Sequence, residues 1–252
     1  MSRLAGKSII VTGSASGIGE AAVRLFAENG ALVIAADIDA DGGEAAAAAV
    51  RAKGHKVQFI RTDTTSENDV IAMVALSEST YGKLDGAFNN VGLSNSSFKL
   101  ADTPLSEMQR IFNINVTGTF LCMKYEIQAM LRTGHGSIVN TSSVMSFIYD
   151  ANLAVYCATK YAINGLTKTA AAENGAVGIR VNALAPAATR TPGYLKYLAD
   201  NPSFEDKLKV AYPLGRASEP VEQARAALWL LSDDSSYSTG TVMLVDGGNT
   251  LL

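Results

Sequence analysis

The sequence predicts a single α/β domain built on a seven-stranded, doubly wound parallel sheet of Rossmann type, with helices on both faces. Short apolar runs rich in β-branched residues alternate with longer helical stretches along the whole chain, the pattern of a parallel sheet covered on both faces. A glycine-rich turn stands between the first run and the first helix, where a dinucleotide-binding unit needs one. The 252 residues suffice for one large domain, and no repeat, linker or low-complexity segment divides them.

Strands are expected over Ser8 to Val11, Ala31 to Ala36, Val57 to Ile60, Leu84 to Phe88, Ser137 to Asn140, Arg180 to Leu184 and Thr241 to Val245. Helices are expected over Gly17 to Glu28, Gly42 to Lys53, Glu67 to Tyr81, Ser106 to Leu131, Ala154 to Glu173 and Pro220 to Leu231. The run Ala45 to Ala49 reads as helix because alanine is the best helix former. Each crossover should be right-handed. The interval Ala185 to Glu219 shows no strand and carries Pro186, Pro192, Pro202 and Pro213. A segment that long inside a compact domain is usually functional, so a substrate lid is expected at about 187–215.

Bulk properties exclude several classes. With 48% hydrophobic and 18% charged residues the chain is globular rather than disordered. A net charge of −3 and no Lys/Arg cluster leave no basic surface for nucleic acid or an anionic membrane. Residues Met1 to Gly6 lead straight into the first apolar run without the pattern of a signal peptide, and no run approaches the roughly 20 residues a membrane span needs. A soluble, cytoplasmic protein is expected. Cys122 and Cys157 form no C-x-x-C and read as buried free thiols, and with His55 and His135 they make no metal-ligand cluster, so no metal is expected.

After the first strand comes Thr12-Gly13-Ser14-Ala15-Ser16-Gly17-Ile18-Gly19. Its glycines allow a tight turn, let backbone amides approach a pyrophosphate, and turn a helix N-terminus with its partial positive charge toward the phosphates. The spacing is G-x-x-x-G-x-G rather than the standard G-x-G-x-x-G. Asp37 closes the second strand, where a carboxylate accepts hydrogen bonds from an adenosine ribose and repels a 2′-phosphate; the bland reading is a cap on the following helix. No cation stands at Ile38 to Ala40 or Ser14 to Ser16, so NAD is expected over NADP.

Tyr156 and Lys160 are four residues apart and so share one face of a helix, with Ser143 thirteen residues before the tyrosine. A phenol titrates near 10, too high for a general base at neutral pH, and a neighbouring ammonium should lower it. That spacing suits an acid/base site, and equally an ordinary helical pair.

With these residues in this order the chain resembles the short-chain dehydrogenase/reductase family over its whole length. Asp63 after the third strand, Asn89-Asn90-Val91-Gly92 after the fourth, Asn115-Val116-Thr117-Gly118 in the long helix and Asp246-Gly247-Gly248 near the end add to the resemblance. It implies that Tyr156 exchanges the substrate proton, that Ser143 rather than Ser142 holds the substrate oxygen, and that Lys160 also binds the nicotinamide ribose. It implies that Asn115 bends its helix and holds a water of a proton relay. Gly13, Ser16, Gly17, Ile18, Gly19, Asp37, Ile38, Asp63, Thr64, Asn89, Val91, Gly92, Pro186, Ala187, Thr189 and Thr191 would line the cofactor. Two departures stand out: Val91 replaces the usual alanine and should crowd the cofactor side, and Ala187 replaces a usual glycine, which would be costly at positive φ.

Bulky residues after Ser143 and in the lid predict an apolar pocket with Met145, Tyr149, Tyr194 and Leu195 toward the substrate, an uncharged cyclic or aromatic secondary alcohol or its ketone. The lid lysines 196, 207 and 209 read as a solvated helix face. The resemblance implies a homotetramer in which the long helices meet their copies, and the tail Thr250, Leu251 and Leu252 could cover a neighbour's pocket. Two other readings compete: an NADPH-dependent reductase of acyl-carrier or quinone-like carbonyls, and a catalytically silent nucleotide sensor.

Overall fold

The computed structural model describes residues 2–94 and 97–251; Met1 and Leu252, named above, lie outside them. The strands are β1 (Ser8–Thr12), β2 (Leu32–Asp37), β3 (Val57–Arg61), β4 (Gly86–Asn89), β5 (Gly136–Thr141), β6 (Ile179–Pro186) and β7 (Val242–Val245). All pair in parallel in the order β3-β2-β1-β4-β5-β6-β7. The helices are α1 (Gly17–Glu28), α2 (Ala40–Arg51), α3 (Glu67–Tyr81), α4 (Leu105–Phe112), α5 (Gly118–Leu131), α6 (Ala154–Asn174), α7 (Pro192–Asp200), α8 (Phe204–Ala211) and α9 (Pro220–Leu231).

Continuous apolar strands follow from cover on both faces. In β1 all five residues are buried: Ile9 and Val11 join Phe26 of α1, Ala47 of α2 and Leu228 of α9, while Ile10 joins Val70 and Met73 of α3 and Leu121 and Met130 of α5. Successive side chains point to opposite faces, so the middle of the strand is apolar on both, and the polar residues Ser8 and Thr12 stand at its ends, where Ser8 Oγ bonds Ser77 Oγ and Thr12 Oγ1 accepts from Asn90 N–H. From β1 the chain winds outward through β2 and β3, then returns to the other side of β1 for β4. That reversal opens a crevice outside the carboxyl ends of β1 and β4, the place where open α/β sheets bind ligands.

One segment differs from expectation in part. The stretch read as one helix from Ser106, with a bend at Asn115 implied by the resemblance, is two helices joined by a π turn at Asn113–Thr117, where Thr119 Oγ1 donates to Asn115 O at 2.7 Å. Such single π turns inside helices cluster at functional sites, and this one places buried Asn115 beside α6. The interval after β6, whose lysines 196, 207 and 209 read as a helix face, folds into α7 and α8. Thr191 caps α7 by accepting from Tyr194 N–H at 3.3 Å, with Pro192 in the first turn where its missing N–H costs nothing. Tyr194, Phe204, Leu208, Tyr212 and Ala217 form a small core of their own, with Tyr197 edge-on to Phe204 at 5.1 Å. Arg190 ties this segment down through Glu205 and, at 3.6 Å, Glu219.

Candidate active site

The carboxyl ends of all seven strands lie along one edge of the sheet, and the predicted site residues gather there. Gly13 and Gly17 take φ of +66° and +59°, which a side chain would strain. Gly19 is required for a different reason. A Cβ there would stand 1.9 Å from Gly13 O, so only glycine lets α1 start this close to the turn. Ser16 caps α1 without a side-chain hydrogen bond, leaving the helix N-terminus for an anion.

Asp37 accepts from Ala15 N–H at 2.8 Å and from Asp39 N–H at 3.0 Å. Asp39, not Asp37, caps α2, accepting from Gly42 N–H at 3.1 Å, so the bland reading of Asp37 does not hold. Each carboxylate oxygen of Asp37 keeps capacity for a further donor. Ile38 beside it is exposed. Asp63 holds the next loop through Thr65 N–H and Oγ1, and buried Thr64 packs on Gly118 at the start of α5. Asn89 is buried between β4 and β5, and the Val91 side chain lies against Gly13. A Cβ on Gly92 would stand 3.2 Å from Lys160 Nζ and 3.7 Å from Asn115 Oδ1, so the loop after β4 passes directly over these two side chains.

Ser143 extends from β5, and Tyr156 and Lys160 project from the first turns of α6. Lys160 is buried, its Nζ donates to Thr141 O at 2.8 Å, and it stands 5.4 Å from the centre of the Tyr156 ring. Burial pushes this ammonium down to about 8, and two of its three hydrogens remain for other acceptors. Ser143 and Tyr156 are joined by a hydrogen bond. Burial raises the Tyr156 phenol above its usual value and the Ser143 bond only partly offsets this, which corrects the expectation of a phenol lowered by Lys160. The ammonium is itself desolvated and aimed at Thr141.

The two adjacent serines are separated by geometry. Ser142 Oγ donates to Asn164 Oδ1 at 2.7 Å and lies 2.9 Å from Ser146 Oγ, inside the protein, while Ser146 Oγ donates to Ser143 O at 2.6 Å and fixes its backbone. Neither Asn164 nor Ser146 was singled out from sequence; Asn164, one turn beyond Lys160 on the same helix face, was findable by that spacing. Asn115 accepts from Leu93 N–H and donates to Leu93 O, both at 2.8 Å, and donates to Thr159 Oγ1 at 3.1 Å. It therefore clamps the loop after β4 to α6.

Pro186 ends β6, and Ala187, followed by Thr189 and Thr191, leads into α7. Asn152, with φ of 71°, is the one non-glycine at positive φ among the described residues, so Ala187 sits there without strain. Thr191 Cγ2 approaches Gly17, bringing the start of α7 onto the glycine turn. Of the residues expected to face the substrate, Met145 is partly buried, Leu195 and Tyr149 are exposed, and Tyr194 packs into the small core with Leu208 and Tyr212. No cluster of His, Cys, Asp and Glu able to hold a metal occurs among the described residues. The turn with its open helix end, the acceptor at Asp37 and the buried Lys160 fit a nicotinamide dinucleotide.

Residues 13–250 match a family model described as enoyl-(acyl carrier protein) reductase. The chain is 47% identical, over the full length of both, to a 2,5-dichloro-2,5-cyclohexadiene-1,4-diol dehydrogenase of Sphingobium indicum. It is 38% identical to a cis-4-hydroxycyclohexanecarboxylate dehydrogenase of Sinomonas cyclohexanicum, over 96% of this chain and 95% of that protein. The crystal structure of levodione reductase superposes with a TM-score of 0.93 at 33% identity, covering 99% of each chain. Agreement of this extent, in sequence and in fold, leaves one assignment for the crevice and the residues around it: the chain belongs to the short-chain dehydrogenase/reductase family.

Proposed function

We propose that the protein interconverts a cyclic secondary alcohol and its ketone with NAD as the hydride carrier. One observation carries this most: Ser143, Tyr156 and Lys160 converge at the carboxyl edge of the sheet, beside the glycine turn and under the loop from Asn89 to Gly92. The names of the relatives, two of them dehydrogenases of cyclohexane-ring alcohols, support the substrate class. Bound NAD supplies the hydride acceptor and a positive ring.

The chain's own residues do the rest. Ser143 Oγ holds the substrate oxygen, and Tyr156 Oη takes its proton as the alcohol is oxidised and returns one to the ketone. Lys160 contributes its two unspent N–H groups to ribose hydroxyls and its charge to the phenolate. The phenol, raised in the protein alone, is lowered once a second positive charge stands beside it. Asn115 holds the loop after β4 against α6, and Gly92, where a Cβ would stand 3.2 Å from Lys160 Nζ, lets that loop pass close to the ammonium.

Asp37, with no cation at Ile38 to Ala40, favours NAD over NADP, and speaks against an NADPH-dependent reductase of acyl carriers despite the description of the family model. Asp37→Ala should lower the ratio of kcat/KM for NAD over NADP at least tenfold, about 1.4 kcal/mol. Loss of the bond to Ala15 N–H weakens both cofactors alike, so the ratio isolates the charge; an unchanged ratio removes the argument for NAD.

For the substrate, steady-state rates with cyclohexanols and cyclic diols should exceed those with open-chain polyols by an order of magnitude or more. The reverse ranking would refute the substrate class. Exposed Leu105, Met108 and Phe120 on α4 and α5 favour assembly as a homotetramer. The two buried free thiols, Cys122 and Cys157, fit the cytoplasm. No helix among the described residues is long and apolar enough to cross a membrane.

A further inference from the structure

Glu126 on α5 has no part in the mechanism above, and it is fully buried against Asn89 at the carboxyl end of β4. Its Oε2 accepts from Asn89 Nδ2 at 2.9 Å, and its Oε1 has no partner. The oxygen left bare on the other side is Asn89 Oδ1. The orientation of Asn89 is fixed, because its Nδ2 also donates to Asn140 Oδ1 at 3.1 Å, while Asn140 Nδ2 donates to Thr167 Oγ1 at 3.0 Å and contacts Met123 Sδ at 3.2 Å.

Among the described residues no cation pairs with this acid. Asn89 comes from β4, Asn140 from β5, Thr167 from α6, and Cys122 and Met123 from α5 itself; the α3 acids Glu67 and Glu78 are tied to Lys124 and Tyr125 and to Arg132. A buried carboxylate without a cation is costly, and so is each oxygen left without a hydrogen bond. One proton resolves all three.

We propose that Glu126 works as a neutral carboxylic acid whose Oε1 hydroxyl donates to Asn89 Oδ1, and that this acid–amide pair positions the end of β4 and, through it, the Asn89–Gly92 backbone that passes along the cofactor. Burial pushes the Glu126 carboxyl up to about 7, in agreement. The sign follows from linkage. The folded chain holds a proton that the unfolded chain releases near 4.5, so this acid favours folding below that pH, and the advantage is lost as pH rises toward 7.

Isotope-edited infrared spectroscopy of protein with 13C-labelled glutamate reads the proton directly. At pH 6 the wild-type chain should show the carbonyl band of one neutral acid that Glu126→Gln lacks. Glutamine supplies both a donor and an acceptor, so Glu126→Gln should keep the end of β4 ordered, whereas Glu126→Leu should speed amide exchange at Phe88 and Asn89 at least tenfold. Between pH 4.5 and 8 the unfolding constant of the wild type should rise roughly a hundredfold more than that of Glu126→Gln. Absence of the acid band at pH 6, or equal pH slopes for the two proteins, would overturn the proposal. Exchange in Glu126→Gln as fast as in Glu126→Leu would overturn the positioning role. The infrared measurement on the unmutated chain stands even if Glu126→Leu does not fold.

Discussion

Replacing Tyr156 by phenylalanine is expected to lower turnover of any alcohol roughly 10²- to 10⁴-fold, the range for losing a positioned general acid/base. The fold should not notice. The ring keeps its place over Lys160 and only the hydroxyl and its bond to Ser143 are lost, so thermal stability should change little. Affinity for the dinucleotide should stay within a few-fold of wild type, because the turn at Gly13 to Gly19, Asp37 and the Lys160 ammonium are untouched. Steady-state kinetics paired with a fluorescence titration of reduced cofactor separates the two. A variant retaining a tenth of wild-type turnover would remove Tyr156 from the chemistry, and one that loses cofactor binding as well would make its role structural.

Gly19→Ala is expected to be the most damaging single methyl group in the cofactor site. The added carbon would stand 1.9 Å from Gly13 O, 2.7 Å from Gly13 C and 2.9 Å from Asn90 Nδ2. Backbone on one side and the helix start on the other leave no rotamer by which to escape. Relief requires α1 to move away from the turn, although its buried face, including Ala22, Val23 and Phe26, is packed in the core with α9. Overpacking of this kind costs about 3 kcal/mol or more, which for a chain of this size lowers Tm by roughly 6–12 °C. Cofactor affinity should fall with it, since the amides that face the phosphates shift with the helix. Urea unfolding and a cofactor titration on the same variant check both effects; wild-type stability would mean that the turn is looser than this packing implies.

The sheet was legible because burial on both faces forces continuous β-branched runs, and each run did become a strand with ends shifted by only a few residues. The break at Asn113–Thr117 was legible only through the resemblance, which implies a bend at Asn115; the apolar pattern by itself runs through the π turn undisturbed. The helices α7 and α8 carried a readable start in Thr191-Pro192, but the prolines around them obscured where each begins and ends.

Within the site, spacing along a helix placed Tyr156 and Lys160 on one face, as i and i+4 must. Spacing could not separate Ser143 from Ser142. The two differ only in three dimensions, where Ser142 turns inward to Asn164 and Ser146 while Ser143 bonds Tyr156. Glu126 was hidden for a similar reason. An acid in an otherwise apolar helix reads as the solvent side of an amphipathic face, and nothing local reports that α5 is buried there by the strand ends it covers. Tyr156 shows the limit of pairwise reasoning about charge, because the same burial that brings Lys160 close also desolvates both groups.

The most direct test of the central claim follows one hydrogen. Cyclohexanol carrying deuterium only at the carbinol carbon, incubated with the enzyme and NAD, should place that deuterium on the nicotinamide ring of the reduced cofactor, with a rate lower than for the unlabelled alcohol and with Tyr156→Phe giving almost no transfer. Deuterium released to water, or transfer that proceeds equally well without the Tyr156 hydroxyl, would contradict direct hydride transfer in a site where Tyr156 handles the proton.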